Sequence, residues 1–334
     1  MKAVIVPSAG APFELVDRPM PEPGPGAVRV AVEACGICHS DLFVKEGGRI
    51  PVAYPRVPGH EVAGRVDAVG AGVANWKPGD RVGVGWFGGS CGRCERCRAG
   101  DFINCANLKI CGIHYDGGYA EYMVAPEDAL ARIPEDLSAV EAAPLLCAGI
   151  TTYNALRHSG ARPGDVVAIL GIGGLGHLGV QFAARMGFHT VALSRGTGKE
   201  TLARQLGAHV YIDTDTKDAV AALQSLGGAS VILATAPNAA LIARWIDGLT
   251  RRGRMVIVAA EAQPIQVSPL ALISGRSVAG WPSGASLDSE ATMRFAAVTG
   301  VRPRIEEFPL ERAGEAYARM MKNDVRFRAV LRVR

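Results

Sequence analysis

Four cysteines lie close together in the sequence at spacings typical of a metal site. They follow the pattern Cys91-x2-Cys94-x2-Cys97-x7-Cys105. Four thiolates on one short loop can complete a tetrahedron around zinc and leave no position for a substrate, so the pattern predicts a structural zinc site. The alternatives are an iron–sulfur cluster, whose common spacings differ, and a nucleic-acid-binding zinc ribbon. The ribbon is disfavoured because the arginines of this loop have no aromatic residues between them.

A glycine-rich segment matches the pattern G-x-G-x-x-G. It follows an apolar strand-like run and opens a helix-like run, which is the context in which this pattern binds a dinucleotide. Glycines let the backbone approach a pyrophosphate, and the helix N-terminus supplies free N–H groups. We therefore predict a cofactor turn made by Gly171, Gly173, Gly174, Leu175 and Gly176.

The end of the next strand bears on which nicotinamide cofactor binds. An acidic residue there would bind the adenosine 2′-hydroxyl, but this sequence has Ser194 followed by Arg195. A guanidinium pairs well with phosphate, and Lys199 lies close in sequence. The pattern favours NADP(H). NAD(H) is the alternative if Arg195 only points into solvent.

The pattern of secondary structure divides the chain. Up to residue 148, short β-rich runs (28–32, 61–69, 81–84) separated by Pro and Gly indicate an irregular, mostly antiparallel β domain. In residues 149–283, strand-like runs (165–170, 189–194, 210–213, 230–236, 254–260, 277–281) alternate with helix-like runs (174–186, 199–206, 218–226, 238–249), which predicts βαβ units and a parallel sheet. Residues 284–334, with helix-like runs at 287–298 and 311–322 and a strand at 328–333, are expected to return to the first domain.

Composition limits the possible functions. The chain has 334 residues, 49% of them hydrophobic and 20% charged, with a net charge of +4. This supports two packed domains and argues against a nucleic-acid or membrane-surface partner. The N-terminal residues show no secretory signal, and the most apolar window, 166–184, contains five glycines and a histidine, which disfavours a membrane helix. We therefore expect a cytoplasmic protein whose cysteines bind metal rather than form disulfides.

Three further segments carry residues capable of chemistry. They are Cys35-Gly36-Ile37-Cys38-His39-Ser40-Asp41, Gly59-His60-Glu61 and Pro144-Leu145-Leu146-Cys147. Each is ordinary alone, and the surroundings of the CxxC are not those of a thiol redox motif. In this order, with the four-cysteine loop and the glycine-rich turn, they resemble the zinc-dependent medium-chain alcohol dehydrogenases, especially the bacterial and yeast-type ethanol dehydrogenases. The resemblance covers essentially the whole chain and implies an α/β protein, with a GroES-like β-rich catalytic domain and a Rossmann domain containing a doubly wound parallel sheet.

The resemblance also implies a second, catalytic zinc ion, held by Cys38, His60 and Cys147. Such a zinc acts as a Lewis acid on the substrate oxygen during hydride transfer between an alcohol and the nicotinamide. By their matching positions, Ser40 would hydrogen-bond the substrate oxygen and pass on its proton, and Asp41 would orient His60. For both residues the alternative is a helix cap.

Four neighbouring positions have roles implied by the same resemblance. Glu61 would lie near the metal, His39 near the cofactor phosphates, and Arg328 on the cofactor pyrophosphate, while Trp86 would narrow the pocket for small, unbranched alcohols. The alternatives are a solvated residue for Glu61, a surface charge for Arg328 and plain core packing for Trp86.

One position departs from the family pattern. Many relatives have a histidine two residues after the aspartate, where it ends the proton relay, and this chain has Phe43 there. A phenyl ring cannot carry a proton. Ser40 would then act through ribose and water, or another group such as His114 would serve.

The prediction is a zinc-dependent alcohol dehydrogenase or aldehyde reductase acting on a primary or secondary alcohol with NAD(P)+, with two zinc ions per subunit. Kinship implies a homotetramer, or else a dimer. Cinnamyl-alcohol or aromatic-aldehyde and polyol dehydrogenases are the alternatives within the family, although Cys147 favours simple alcohols because polyol enzymes usually have an acidic ligand there. Outside enzymes, the alternative is a non-catalytic scaffold that binds zinc and nucleotide.

Overall fold

The chain forms two units in the computed structural model, which describes residues 1–48, 50–259 and 262–334. The first unit contains Met1–Ile150 and Gly284–Arg334, and the second contains Thr151–Ser283. The C-terminal residues therefore belong to the same unit as the N-terminal half of the chain.

Short strands dominate the first 150 residues, because Pro and Gly interrupt every β-rich run. The strands are β1 (Lys2–Ile5), β2 (Glu14–Asp17), β3 (Ala27–Gly36), β4 (Val62–Val69), β5 (Arg81–Val84), β6 (Tyr122–Pro126) and β7 (Leu130–Arg132). The helices are α1 (Leu42–Lys45), α2 (Glu95–Arg98) and α3 (Ala139–Pro144), with 3-10 turns at His39–Asp41, Phe102–Asn104 and Glu127–Ala129.

A long helical stretch leads from the first unit into the second. Ser138 begins it with a capping box, in which its hydroxyl accepts from the Glu141 amide and the Glu141 carboxylate accepts from the Ser138 amide. After α3 the chain makes one π-helical turn, Leu145–Gly149, and continues as α4 (Ile150–Arg157). Cys147 lies in the middle of the π-helical turn.

The second unit alternates strands and helices as predicted. It contains β8 (Val166–Leu170), α5 (Gly176–Arg185), β9 (His189–Ser194), α6 (Glu200–Gln205), β10 (Val210–Asp213), α7 (Ala219–Ser225), β11 (Ala229–Ala234), α8 (Ala239–Trp245), β12 (Leu249–Ile257), α9 (Pro269–Leu272) and β13 (Ser277–Gly280), with a 3-10 turn at Ile246–Gly248. All six strands are parallel, in the order β10-β9-β8-β11-β12-β13. Strand order reverses between β8 and β11, and this reversal marks the edge where such sheets bind ligands.

The helix predicted at 238–249 is too long. It ends at Trp245, and Leu249 already starts β12. Ile242, Trp245, Ile246 and Leu249 are all buried, and their spacing imitates one face of a helix although two elements supply them. The strand predicted at 254–260 corresponds to the second half of β12, and its last residue, Ala260, lies outside the described residues.

The C-terminal segment completes the sheet of the first unit. It consists of α10 (Ser286–Thr299), β14 (Ile305–Pro309), a 3-10 turn at Leu310–Arg312, α11 (Ala313–Met321) and β15 (Arg328–Arg332). The larger sheet of this unit has the order β14-β15-β3-β4-β5-β7, and β6 also pairs with β3. Every pair in it is antiparallel except β14 with β15, so the mostly antiparallel character is confirmed.

Candidate active site

Three segments of the first unit bring potential metal ligands together. Cys38 follows β3, His60 and Glu61 directly precede β4, and Cys147 lies in the π-helical turn. One potential ligand atom from each of these four residues lies within 4.8 Å of all the others. The pairing of β3 with β4, which sets Cys35 opposite Val62, places the end of one strand beside the start of the next. Register therefore brings Cys38 and His60 to one place.

The donor atoms of this cluster fit a zinc ion. The Sγ atoms of Cys38 and Cys147 are 3.7 Å apart. His60 is buried, and its Nε2 has no hydrogen-bond partner among the described residues, which is costly for a buried polar atom unless something binds it. Two thiolates and one imidazole are the donor set of an open zinc site. The residues present therefore fit the metal that the sequence predicts.

Asp41 fixes the other side of the imidazole. Its Oδ1 lies 3.1 Å from His60 Nδ1, and both side chains are 2% exposed. Its Oδ2 accepts from the Cys38 amide at 2.9 Å and from the Tyr119 hydroxyl at 2.8 Å. Asp41 therefore caps the turn and also contacts His60, and its role in orienting a metal-bound His60 stays a prediction. Sequence reasoning did not single out Tyr119.

Charge around the cluster favours a thiolate at Cys38. The hydrogen bond shared with Cys147 lowers the pKa of Cys38 well below its usual value, and the positive charge of Arg328 acts in the same direction. Burial raises the pKa of Glu61 to about 7, against the opposing effect of the Arg328 guanidinium. Glu61 is fully buried in an ion pair with Arg328, so its interpretation as a solvated residue is wrong.

The four-cysteine loop forms a second cluster within the first unit. The Sγ atoms are 3.5 Å apart for Cys94 and Cys97, 3.6 Å for Cys91 and Cys105, and 3.9 Å for Cys94 and Cys105. Amides of Arg93 and Cys94 lower the pKa of Cys91 to about 6. This cluster consists of four thiols and no other ligand type, which fits a closed zinc site.

The predicted cofactor turn occupies the reversal point of the parallel sheet. Gly171 follows β8 with φ +91°, a conformation that favours glycine, and Gly176 starts the ten-residue helix α5. A side chain at Gly176 would collide with the Gly171 carbonyl, whereas a Cβ at Gly173 would meet no atom within 4 Å. Gly176 is thus required for packing, and Gly173 leaves backbone open to a ligand.

Comparison with known proteins identifies the family of this chain. Residues 24–135 match the family described as alcohol dehydrogenase GroES-like domain, and residues 174–297 match the zinc-binding dehydrogenase family. Alcohol dehydrogenase patD of Penicillium expansum is 46% identical over 333 residues, covering 99% of this chain and 97% of that protein.

This chain belongs to the zinc-binding alcohol dehydrogenase family.

Two crystal structures show the same fold. A NAD-dependent alcohol dehydrogenase has a TM-score of 0.91 and 32% identity, with full coverage of both chains. CAD from Helicobacter pylori, complexed with NADP(H), has a TM-score of 0.88 and 28% identity and covers 99% of this chain and 97% of its own. The GroES-like and Rossmann fold prediction is confirmed. No helix in the described part of this alcohol dehydrogenase has the length and apolar character needed to cross a membrane.

The remaining site residues of this alcohol dehydrogenase fall into different environments. Trp86 is half-buried. The centroid of its ring lies 5.1 Å from that of His60, with the two rings edge-on, and 6.3 Å from that of Phe43. Trp86 therefore borders the cluster that contains His60. Ser40 is half-buried and His39 is exposed, on the turn that carries Asp41. His114 is exposed, and its Nδ1 accepts from the Ile110 amide at 2.9 Å.

Arg328 is buried, so its interpretation as a surface charge is wrong. Its side chain is 5% exposed and donates to the Ile37 carbonyl at 3.1 Å as well as to Glu61. It lies at the start of β15, which pairs with β3 next to Cys35. Contact with the cofactor pyrophosphate stays a prediction.

The residues expected to determine the preference for NADP(H) or NAD(H) lie around the end of β9. Ser194 is buried and Arg195 exposed, and Lys199 donates to the Ile172 carbonyl of the glycine-rich turn at 3.0 Å. Sequence reasoning missed Asp213, at the end of the neighbouring strand, which accepts from the Gly196 amide at 2.7 Å. Hydrogen bonds from the Asp215 amide, the Thr216 hydroxyl and the Gly196 amide hold the pKa of Asp213 below its ordinary value.

Proposed function

We propose that this protein is a zinc-dependent alcohol dehydrogenase and aldehyde reductase, which transfers hydride reversibly between a primary or secondary alcohol and NAD(P)+. The observation that carries the proposal is the buried set of Cys38, His60 and Cys147, whose imidazole Nε2 has no protein partner in the described ranges. A zinc ion held there would supply a Lewis acid for the substrate oxygen, and the nicotinamide would exchange the hydride.

The chain's own residues prepare this site. Because Asp41 Oδ1 lies 3.1 Å from His60 Nδ1, it would hold the imidazole proton on Nδ1 and leave the Nε2 lone pair free to bind metal. Ser40, one residue before Asp41, would hydrogen-bond the substrate oxygen and receive its proton. Glu61 lies in the same cluster and forms an ion pair with Arg328. It would assist ligand exchange at the metal after leaving this ion pair.

The four-cysteine cluster would hold a second, structural zinc. Its thiols lie within bonding reach of one ion, and residues outside the loop are not needed to complete a tetrahedron. We propose two zinc ions per subunit on this basis.

We propose NADP(H) as the preferred cofactor and NAD(H) as the alternative. The glycine-rich turn would receive the pyrophosphate, with His39 and Arg328 as further phosphate partners. The residue that ends β9 is Ser194 and not an acidic residue, and Arg195, which follows it, is exposed and makes no hydrogen bond or ion pair with the described residues. A guanidinium free in this position suits a 2′-phosphate.

We propose a small, unbranched alcohol or its aldehyde as the substrate. Trp86 lies edge-on to His60 and near Phe43, and these two rings would narrow the space next to Cys38, His60 and Cys147. Cinnamyl-type or other aromatic aldehydes and polyols are the alternatives within the same family. Cys147 argues against polyols, whose enzymes usually have a carboxylate ligand in its place.

We further propose that the protein is a cytoplasmic homo-oligomer, a tetramer or else a dimer. A reducing compartment would keep both sets of thiols available for zinc. Leu270 and Ile273, which are 78% and 83% exposed, offer apolar surface for self-association.

The experiment is steady-state kinetics with both nicotinamides over a panel of primary, secondary and aromatic alcohols, together with zinc analysis. We expect two zinc ions per chain and alcohol-dependent reduction of NADP+. Cys38→Ser should abolish turnover and lower the zinc content to one without unfolding the protein, whereas Cys111→Ser, a buried thiol outside both clusters, should keep both zinc ions. Retained turnover in Cys38→Ser would refute the proposed site.

A further inference from the structure

Tyr119 is a buried residue with a polar group aimed at the candidate metal site, and no role described above uses it. Its side chain is fully buried, and its hydroxyl lies 2.8 Å from Asp41 Oδ2. A carboxylate only accepts hydrogen bonds, so the Tyr119 hydroxyl must be the donor. Asp41 Oδ1 in turn lies 3.1 Å from His60 Nδ1. Polar contacts therefore link the Tyr119 hydroxyl through Asp41 to His60, a proposed zinc ligand.

Asp41 needs this donor. It is 2% exposed, and a buried carboxylate is stable only when hydrogen bonds replace its water. Oδ2 receives hydrogen bonds from the Cys38 amide and the Tyr119 hydroxyl, and Oδ1 faces His60. Without the hydroxyl, Oδ2 would keep one donor, and rotation of the carboxylate away from His60 would be resisted less.

The position of the Tyr119 ring is fixed independently of its hydroxyl. The Tyr119 amide donates to the Pro58 carbonyl at 3.0 Å, and the Tyr119 carbonyl accepts from the Val4 amide at 2.8 Å. Gly59, with φ +103°, directly precedes His60, and a Cβ there would meet the ring at 2.5 Å. Ring and backbone therefore pack against the segment that carries His60, and Tyr119→Phe removes only the hydroxyl.

We propose that Tyr119 is a positioning residue of the candidate metal site, holding the Asp41 carboxylate against His60 so that His60 Nε2 keeps its direction. This inference rests on the proposed function in one respect, namely that His60 binds zinc. Partners of this kind fix the orientation of metal-bound histidines and thereby slow loss of the metal.

The test measures zinc release from the holoenzyme to a chromogenic chelator. The wild-type protein should release zinc in two phases, one for the Cys38–His60–Cys147 site and a slower one for the four-cysteine site. In Tyr119→Phe the first phase should be about threefold to tenfold faster, below the effect of losing a direct histidine partner, while the second phase is unchanged. The four-cysteine site thus serves as an internal control.

Tyr317→Phe is the matched control variant. Tyr317 is a buried tyrosine of the same unit whose hydroxyl makes no hydrogen bond with the described residues. It should release zinc at wild-type rates. Equal zinc release rates in Tyr119→Phe and wild type would overturn the proposal. Equal acceleration by Tyr119→Phe and Tyr317→Phe, or equal acceleration of both release phases, would also overturn it, because either result would indicate a general loosening of the protein structure.

A double-mutant cycle with Asp41→Asn identifies the route. A hydrogen bond to a charged acceptor is about twice as strong as one to a neutral acceptor. In the Asp41→Asn background, Tyr119→Phe should therefore change the logarithm of the zinc release rate by less than about half of the change that it causes in the wild-type background. Additive effects would contradict action through Asp41. If Tyr119→Phe does not fold, 3-fluorotyrosine at position 119 keeps ring and hydroxyl and donates more strongly, and unchanged zinc release in it would overturn the proposal.

These outcomes differ from failure of the proposed function. A wild-type protein that binds only one zinc, or that reduces no nicotinamide with any alcohol, would refute the function whatever Tyr119 does.

Discussion

Glu61 and Arg328 form a buried ion pair beside the three proposed zinc ligands. Glu61 is fully buried and Arg328 nearly so, and the guanidinium also donates to the Ile37 carbonyl. One carboxylate oxygen, Glu61 Oε2, has no hydrogen-bond partner within the described segments. A charged pair in this environment depends on both members, because each alone would be an uncompensated buried charge.

Arg328→Leu should therefore destabilise the protein strongly. We expect the free energy of unfolding to fall by about 3 kcal/mol, the usual cost of breaking a buried ion pair on one side. The double variant Glu61→Gln/Arg328→Leu should recover part of that loss, since it leaves no unpaired charge. Chemical denaturation measures both. A double variant no more stable than Arg328→Leu would show that the lost packing of Arg328, and not the stranded carboxylate, sets the cost.

Cofactor choice also belongs to the residue scale. Arg195 is exposed at the end of β9 without a partner in the described ranges, but Asp213 lies one strand away and binds the Gly196 amide. The amides and hydroxyl that surround Asp213 keep it ionised, so a negative charge lies near the loop that would meet the adenosine ribose. The proposed preference for NADP(H) would therefore depend on Arg195.

Arg195→Asp should shift the preference toward NAD+. A carboxylate would repel a 2′-phosphate, and losing a hydrogen bond to a charged group costs about 1.5–3 kcal/mol, so the NADP+/NAD+ ratio of kcat/KM should fall by about tenfold or more. The control is Arg251→Asp, which changes an exposed arginine near the start of β12, three strands away from β9 in the sheet. An unchanged NADP+/NAD+ ratio of kcat/KM in Arg195→Asp would show that Arg195 does not determine the cofactor preference.

Residue types and spacing predicted the ligand sets but not all of their partners. Cysteine spacing identifies the four-cysteine loop directly, and resemblance identified Cys38, His60 and Cys147. Tyr119 and Asp213 have no such signal, because 78 residues separate Tyr119 from Asp41 and 17 separate Asp213 from Gly196. Only tertiary pairing brings them together.

At the scale of elements, the π-helical turn is the least predictable part of the site. The segment Leu145–Gly149 reads as an ordinary apolar helix, and its sequence gives no sign of the wider turn that presents Cys147. Such turns recur at functional sites. Gly85, just after β5, makes room for this turn, since a Cβ there would lie 2.6 Å from the Leu146 carbonyl oxygen.

Gly85→Ala should therefore disturb Cys147 without changing any ligand. The backbone of Gly85 is not in the left-handed region, so the effect is steric: overpacking of this kind costs about 1–3 kcal/mol of stability. A shift of about 1 Å in a catalytic group can lower turnover a hundredfold, and we expect a loss of about tenfold or more. Gly24→Ala, where a Cβ meets nothing within 4 Å, should leave activity and stability unchanged. Wild-type turnover in Gly85→Ala would mean that the turn adapts at no cost to Cys147.

The strands and helices of the second unit were the easiest to predict. The strands of this unit are short, apolar and buried, and glycines follow several of them. The apolar pattern and the turn residues therefore indicate the same element boundaries. In the first unit β14 was missed because it is largely solvent-facing, with only Phe308 buried, and its charged residues give no apolar run. Non-local pairing with β15 forms this strand, and local sequence does not encode that pairing.

At the scale of the whole molecule, chemistry is divided between the two units. Every proposed zinc ligand belongs to the first unit, and the glycine-rich turn with β9 belongs to the second. The proposed metal ligands and the predicted pyrophosphate turn are different residues, although His39 and Arg328, the further proposed phosphate partners, lie in the first unit. The two binding events can therefore be tested separately on the intact protein.

Stepwise removal of zinc should separate these functions. A chelator should take the metal from the Cys38–His60–Cys147 site first, because an open three-ligand site exchanges faster than four closed thiolates. Alcohol oxidation should then stop, while NADPH still binds with a Kd within about threefold of the starting value, as expected for sites without shared residues. Removal of the second zinc should then lower the melting temperature, because a closed site stabilises its loop directly. Fluorescence titration of NADPH at each zinc content measures this, and added zinc should restore turnover. Nucleotide binding that disappears together with the first zinc would show instead that the nucleotide site depends on the metal bound at Cys38, His60 and Cys147.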